Sequence, residues 1–313
     1  MLLVALSGWN IGQWVERLQK KMPGREIVAL GEPFDRRAVH YAVSWKHPAG
    51  SLAGLPNLSA IFSLGAGVDH IFNDDRLPDV PIYRVVDSDL THRMSEYVVM
   101  HCLMLLRQTR RYDAQQINKS WDDDRFQPAA RDVRVGIMGM GELGQDAARK
   151  LKMIGFDVAG WSRTPKNVDG IPSFSGETGL QEFLARTDIV VVLLPLTPQT
   201  RGIINERLLR GLAQNGRLGK PALINAGRGG LQVEADILKV LDEGVLGHAV
   251  LDVFETEPLP TDSRLWTHPR VTVTPHNAAM SDPDAIGALI ARQIAKLEAG
   301  QEPDYKVDRA RAY

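Results

Sequence analysis

Short apolar runs alternate with amphipathic segments along the whole chain, which is the pattern of βαβ units built around parallel sheets. In the first third, residues 2–6, 26–30, 41–43, 60–62 and 82–84 predict the strands of a small α/β unit. A longer amphipathic segment, residues 91–113, predicts one helix that bridges into the middle of the chain. The middle is more regular. Residues 133–138 predict a strand, followed by Gly139-Met140-Gly141-Glu142-Leu143-Gly144 and a helix with Ala147, Ala148, Leu151 and Ile154 on one stripe, closed by Gly155. Strands are predicted again at 157–161, 188–194, 222–225, 248–253 and 271–274. The run at 188–194 is rich in β-branched residues and ends at Pro195, the signature of a strand buried on both faces. Thr178-x-x-Gln181 has the form of a capping box, and a last helix is expected to start near Asp282-Pro283 and to end before Gly300.

At 313 residues the chain is long for one hydrophobic core, so two domains are expected. Residues 1–100 with 284–313 would form one, made discontinuous by the returning last helix, and residues 101–283 the other. Composition adds little beyond exclusions. With 44% hydrophobic and 24% charged residues the chain reads as an ordinary globular protein, and a net charge of -1 gives no reason to expect a nucleic acid or a membrane surface as partner. No apolar run approaches the ~20 residues that cross a bilayer. The single cysteine, Cys102, sits in an apolar stretch and is expected to be a buried small hydrophobe. The opening Met1-Leu2-Leu3-Val4-Ala5-Leu6-Ser7 lacks the basic segment and cleavage site of a signal peptide, so a reducing cytoplasm is the expected setting. No metal site is expected. Asp122-Asp123-Asp124 is expected to be a solvated turn.

The glycine motif changes the picture. A lone Gly-x-Gly-x-x-Gly is weak, but here it comes after a strand, opens a helix and precedes a second strand. Gly139 permits the tight turn, Gly141 lets a pyrophosphate approach the backbone, and Gly144 lets the helix pack on the strand. The helix amino end then offers N–H groups and positive potential to phosphates. The acidic residue expected ~20 residues further on, to hold a ribose 2′-hydroxyl, is missing. The second strand instead runs into Trp161-Ser162-Arg163-Thr164-Pro165-Lys166, and no acid appears until Asp169. A carboxylate there would repel a 2′-phosphate, whereas Arg163 with Ser162 and Thr164 can bind one, so NADPH is expected over NADH. The competing view is that Arg163 and Lys166 are solvated loop charges.

Three residues beyond the glycine loop carry candidate chemistry. Arg228 stands in Asn225-Ala226-Gly227-Arg228-Gly229, Glu257 in Asp252-Val253-Phe254-Glu255-Thr256-Glu257-Pro258, and His276 in Thr274-Pro275-His276-Asn277-Ala278. A guanidinium grips a planar carboxylate with two parallel hydrogen bonds. An imidazole hands a proton to a developing alkoxide, and a carboxylate beside it favours its charged form and holds the ring. Glu255 is the decoy for Glu257; in an extended segment the two differ in direction. Glycines at 227 and 229 point to backbone crowded against a ligand, although Arg228 could be a plain surface charge. His101, on a helix stripe, and His248, at a strand start, read as structural. Asp252, at a strand's carboxyl end, could accept from a nicotinamide amide or serve as a loop cap.

These motifs resemble the D-2-hydroxyacid dehydrogenase family over nearly the whole chain. Arg228, Glu257 and His276 match its catalytic arginine, glutamate and histidine, and Leu64-Gly65-Ala66-Gly67-Val68-Asp69 is similar to its substrate loop. Ser44-Trp45-Lys46-His47-Pro48, Trp161-Ser162-Arg163-Thr164, His276-Asn277-Ala278-Ala279 and the terminal Val307-Asp308-Arg309-Ala310-Arg311-Ala312-Tyr313 resemble a bacterial branch that reduces glyoxylate and hydroxypyruvate. The resemblance implies an α/β protein of two Rossmann-like, doubly wound parallel-sheet domains with an interdomain active-site cleft. It implies a homodimer, NADPH (with NADH possible), and small 2-oxo acids as substrates. Gly65, Ala66 and Gly67 would hold the substrate carboxylate, with Trp45 shaping the pocket or only plugging a core. Gly139, Gly141, Glu142, Leu143, Gly144, Ser162, Arg163, Thr164, Pro195, Ala226, Gly227 and Asp252 would line the cofactor. Ala226-Gly227, and Gln232 where many relatives carry Val-Asp, depart from the family pattern. Two further enzymatic alternatives are an NADH-dependent relative acting on other acids and formate oxidation; the latter expects glutamine where Glu257 stands. A non-catalytic dinucleotide-sensing protein is the alternative of a different class.

Overall fold

The computed structural model describes residues 1–310, so the last three residues of the terminal motif lie outside the described part. The chain divides into two compact units, Met1–Leu90 with the segment from Ser281 onward, and Thr91–Met280. The divisions fall after Leu90 and Met280, whereas the sequence pattern sets them after residues 100 and 283. The first lies inside a helix, Ser88–Leu106, whose later turns carry Val98, Cys102 and Leu106 in a core cluster with the second unit's strands.

In the first unit five strands, β1 Leu2–Leu6, β2 Ile27–Ala29, β3 Tyr41–Trp45, β4 Ala60–Ser63 and β5 Ile82–Tyr83, form one sheet in the order β2-β1-β3-β4-β5. Every pairing is parallel. Successive side chains of a strand point to opposite faces, and β1 shows this directly. Leu2, Val4 and Leu6 pack with Trp14, Leu18 and, on the helix Pro283–Glu298, Ile286, Leu289, Ile290 and Ile294. Leu3 and Ala5 pack on the other side with Leu52, Ile61 and Ile71. All five β1 residues are buried, as expected of a sheet covered on both faces.

Beyond β3 the chain is tied down by buried polar groups. Ser44 Oγ lies 2.7 Å from His47 Nδ1, and His47 Nε2 lies 3.2 Å from Asp74 Oδ2. Asp74 also accepts from the backbone N–H groups of Gly50 at 2.8 Å and Arg76 at 3.0 Å. Burial pushes the Asp74 carboxyl up, but these amides and His47 outweigh it and hold it below the ordinary carboxylate range.

The second unit holds β6 Arg134–Met138, β7 Asp157–Ser162, β8 Ser173–Ser175, β9 Ile189–Val192, β10 Ala222–Asn225, β11 His248–Leu251 and β12 Val271–Val273. They form a seven-stranded sheet, β12-β11-β10-β9-β6-β7-β8, parallel throughout. Val135, Ile137, Val191 and Ile224 face one core with Ala147, Ala148 and Leu151 of the helix Glu142–Ile154. Val190, Val192, Leu223 and Leu251 face the other with Phe183, Ile237 and Val240. The fold is α/β with two doubly covered parallel sheets. Cys102 is fully buried, and burial pushes its thiol up. Among the described residues no helix is long and apolar enough to cross a membrane.

Several predicted boundaries move for physical reasons. The helix expected over 91–113 is two, Ser88–Leu106 and Thr109–Ile117, broken at Gln108, which adopts a left-handed φ of 54°. Gln108 and Arg111 there bind Asp124 and Asp122, so the acidic run is not a bare solvated turn but anchors its segment to the helix break. The capping box at Thr178 is not used. Gly176, at a φ of 67°, starts the helix Gly176–Ala185 two residues earlier, with Ser175 as its cap. β9 is shorter than 188–194, although the backbone N–H groups of Asp188 and Leu193, beyond its two ends, still donate to the Arg134 and Met138 carbonyls at 2.9 and 2.8 Å. β8 has no counterpart among the predicted strands.

A carboxyl held below its ordinary value stabilises the fold above its unfolded pKa and loses that contribution as pH falls through the folded one. Asp74→Asn should therefore flatten part of the decline in urea stability that sets in as pH falls below about 4. An unchanged slope would show that the Ser44–His47–Asp74 network contributes no pH-linked stability.

Candidate active site

In a parallel sheet, loops leaving the carboxyl ends of the strands gather on one edge, where doubly wound proteins bind their ligands. Arg228, Glu257 and His276 come after β10, β11 and β12, three adjacent strands whose ends are in register, Asn225 beside Leu251 and Leu251 beside Val273. The glycine loop comes after β6, Arg163 after β7 and Pro195 after β9, so these groups leave the same edge of the same sheet.

His276 Nδ1 lies 2.8 Å from Glu257 Oε2. Glu257 Oε1 accepts the backbone N–H of Phe254 at 3.1 Å, which orients the carboxylate toward the ring. With Nδ1 committed to a carboxylate acceptor, Nε2 is the nitrogen available for exchange with a ligand. His276 sits at a φ of 53°, the left-handed region that costs a non-glycine residue about 1–3 kcal/mol. Its backbone N–H donates to the Asp252 carbonyl at 2.8 Å. The Asp252 side chain, 1% exposed, accepts from Thr274 Oγ1 at 2.6 Å and from the N–H groups of Asn277 and Ala278, each at 3.0 Å. Asp252 thus caps the His276 loop, whatever else it binds.

Glu255 is turned away. It exchanges backbone–carboxylate hydrogen bonds with Glu234, at 2.9 and 2.8 Å, on the start of the helix Glu234–Asp242. The two other histidines weighed from the sequence are structural as well. His101 is buried against the Tyr97 ring, 4.3 Å between centroids, and burial lowers its pKa. His248 bonds Thr272 at 2.9 Å, and burial, reinforced by Arg110, pushes it down to about 4.

Arg228 is half-buried, with Nη1 donating to the Gly227 carbonyl at 2.8 Å. The flanking glycines are required by the protein's own backbone. A Cβ on Gly229 would collide with the Phe254 carbonyl, and one on Gly227 would meet the Leu194 carbonyl at 2.9 Å. The crowding is protein backbone, and it locks the Arg228 turn onto the segment that carries Glu257. Gln232, unassigned by sequence reasoning, completes the lock. It is 2% exposed, accepts from Asn225 Nδ2 at 2.8 Å and donates to the Val253 carbonyl at 2.9 Å. Only its departure from the family pattern singles it out in the sequence.

The glycine loop is built to approach a ligand closely. Gly139 has a φ of 107°, and a Cβ there would meet the Leu193 carbonyl at 2.7 Å. A Cβ on Gly144 would strike the Gly139 carbonyl. Gly141 caps the helix Glu142–Ile154 without a side-chain acceptor, and Glu142 and Leu143 form its first turn. This bare helix start fits a dinucleotide pyrophosphate. Ser162 is buried and donates to the Thr164 carbonyl at 2.7 Å, shaping the turn, while Arg163 and Thr164 are exposed. Arg163 makes no ion pair with any described residue. Pro195 accepts Thr200 Oγ1 at 2.7 Å, and Ala226 is buried. Among the described residues no group of three His, Cys, Asp or Glu could hold a metal ion.

Trp45, Gly65, Ala66 and Gly67 belong to the first unit. The Trp45 ring occupies the space a Cβ on Gly65 would need. Trp9 stacks on it at 4.7 Å between centroids, and His70 lies at 4.5 Å. Trp45 is therefore fixed against Gly65, half-buried and packed on the first unit's core.

Comparison with known proteins points the same way. Residues 99–278 match the model of the D-isomer specific 2-hydroxyacid dehydrogenase NAD binding domain. The chain is 40% identical over 307 residues, 96% of each sequence, to glyoxylate/hydroxypyruvate reductase A of Serratia proteamaculans. It superposes with a TM-score of 0.93 and 50% identity on the NADPH-dependent glyoxylate/hydroxypyruvate reductase of Sinorhizobium meliloti in complex with NADP and sulfate, over 100% of this chain and 99% of that one. A probable 2-hydroxyacid dehydrogenase of Rhizobium etli, in complex with NADP, HEPES and L(+)-tartaric acid, gives a TM-score of 0.94 at 46% identity over the same shares. Likeness of this extent, in sequence and in fold together, means that the chain belongs to the D-isomer specific 2-hydroxyacid dehydrogenase family.

Proposed function

We propose that this protein reduces glyoxylate, hydroxypyruvate and similarly small 2-oxo acids to 2-hydroxy acids with NADPH. The observation that carries the reading is the 2.8 Å pairing of His276 with Glu257 on the sheet edge that also bears the glycine loop. Relatives named as glyoxylate/hydroxypyruvate reductases, and family structures holding NADP, support the choice of substrate and cofactor.

When bound, the dihydronicotinamide supplies the hydride that the substrate's carbonyl carbon accepts. The chain's own groups bind, orient and move the proton. Arg228 binds the substrate carboxylate through its planar fork, and Gly65, Ala66, Gly67 and Trp45 are the substrate-binding residues proposed for the first unit. His276, protonated, lies with Nδ1 on Glu257 and donates from Nε2 to the carbonyl oxygen as negative charge grows there. Glu257 keeps the ring from turning. Gly139, Gly141, Glu142, Leu143 and Gly144 would cradle the pyrophosphate, and Arg163 with Ser162 and Thr164 the 2′-phosphate. Pro195, Ala226, Gly227 and Asp252 would border the nicotinamide. Residues 1–100 with 284–313 serve as the substrate domain and 101–283 as the cofactor domain in this reading. The lone, buried Cys102 supports a reducing cytoplasm, and Ile117, Trp121 and Phe126, 80%, 97% and 86% exposed on one stretch of chain, support a homodimer.

His276→Gln should cut kcat for glyoxylate by ~10²–10⁴-fold with near-normal NADPH binding. Arg228→Ala should in addition raise KM. Full turnover by purified His276→Gln protein would remove the acid from the scheme. Loss of a charge-assisted phosphate contact is worth ~1.5–3 kcal/mol, so Arg163→Ser should lower kcat/KM for NADPH by roughly 10–100-fold and leave NADH little changed; equal losses with both would speak against a 2′-phosphate role. Trp121→Ser with Phe126→Ser should shift the mass in light scattering from two copies toward one, and an unaltered mass would place the dimer contact elsewhere.

A further inference from the structure

One polar chain beneath the active edge ends on Asp252, and its other two members, Tyr97 and Thr274, have no part in binding or proton transfer as proposed. Tyr97, on the helix Ser88–Leu106, places its hydroxyl 2.8 Å from Thr274 Oγ1, and Thr274 Oγ1 lies 2.6 Å from Asp252 Oδ1. A hydroxyl has one proton to give. Thr274 gives its proton to the Asp252 carboxylate, so it must accept from Tyr97. Burial, with Asp252 nearby, pushes the Tyr97 phenol above its ordinary value, so the donor keeps its proton. The direction of the chain is therefore settled: Tyr97 to Thr274 to Asp252.

Asp252 is where the chain meets the chemistry. Its carboxylate holds the N–H groups of Asn277 and Ala278 on one side of His276, its hydrogen bond to Thr274 holds the other side, and its carbonyl holds the N–H of His276 itself. These bonds enclose a residue at a left-handed φ of 53° that local sequence does not favour. A buried carboxylate missing one of its donors would relax toward another, and the loop on it would move with it. Tyr97 is 177 residues from Thr274 in sequence, so this tie fastens the His276 loop to a helix rather than to its own strand.

We infer that the Tyr97 hydroxyl, acting through Thr274 and Asp252, is a positioning residue that holds the His276 imidazole for proton transfer. This rests on the reading of His276 as the acid. Tyr97 touches neither substrate nor cofactor in this account. Its removal should slow the chemical step without weakening binding.

The test is a double-mutant cycle in the full-length protein, assayed with glyoxylate and NADPH. Tyr97→Phe should lower kcat about tenfold, with KM and the NADPH dissociation constant within about twofold, because only a transition-state interaction is weakened. The deuterium isotope effect on kcat with 4-deuterated NADPH should rise as chemistry becomes slower than release. Thr274→Val should reproduce the loss and Thr274→Ser, which keeps the hydroxyl, should restore most of it. In a His276→Gln background, whose residual rate is read at high enzyme concentration, Tyr97→Phe should change turnover by less than about twofold, since groups acting as one unit are not additive. An equal loss with and without His276 would overturn the inference, because the hydroxyl would then serve the fold alone. Unchanged kcat in Tyr97→Phe, or a Thr274→Ser variant as slow as Thr274→Val, would overturn it too. Undiminished turnover in His276→Gln itself is a different result: it defeats the acid assignment first and the positioning role with it. Should Tyr97→Phe fail to fold, the two Thr274 variants decide alone.

Discussion

The parallel register of β10, β11 and β12 is the constraint on which the site depends. Asn225, Leu251 and Val273 stand side by side, so the loops bearing Arg228, Glu257 and His276 begin at a common level. β10 and β11 get there by burying alternate residues against two different cores and β12 by packing Val271 and Val273 on one of them, so a slip of one residue would turn buried side chains outward. The chemistry is thus registered by Val, Ile and Leu that never approach a ligand. Polar groups supply the finer adjustment: Gln232 between Asn225 and Val253, and Asp252 under the His276 loop.

The glycine-rich turn and the triad use crowding in different ways. At Gly139 and Gly144 the missing side chains let strand, turn and helix close on one another, leaving a bare helix start for an anion. At Gly227 and Gly229 the space is taken by the protein's own carbonyls. An arginine held between two such glycines has little freedom at its backbone, so its long side chain starts from a fixed point.

Much of this is legible in the residues alone. Twofold alternation and β-branched runs mark most strands, and strand–glycine–helix order marks the nucleotide turn. Asx-, proline- and glycine-rich loop starts mark where Arg228, Glu257 and His276 leave the sheet. The features that stay hidden depend on contacts remote in sequence. Nothing near Gln108 announces a left-handed break, because the acids that hold it lie further on, at Asp122 and Asp124. β8, Ser-Phe-Ser, is too short and polar to stand out from a loop. The crowding at Gly229 is visible as a requirement for glycine, but its cause, the Phe254 carbonyl, belongs to a neighbouring strand's loop. The partnership of Tyr97 with Thr274 has no local signature at all.

Gln232 has a further consequence. A carboxamide neither gains nor loses a proton, so the strut beneath the arginine turn keeps one electrical state from acid to alkaline conditions. An aspartate there would set a buried anion beneath the turn that carries Arg228 and repel an incoming carboxylate. In this protein no negative charge stands at that position, and the brace leaves the local field unaltered at every acidity.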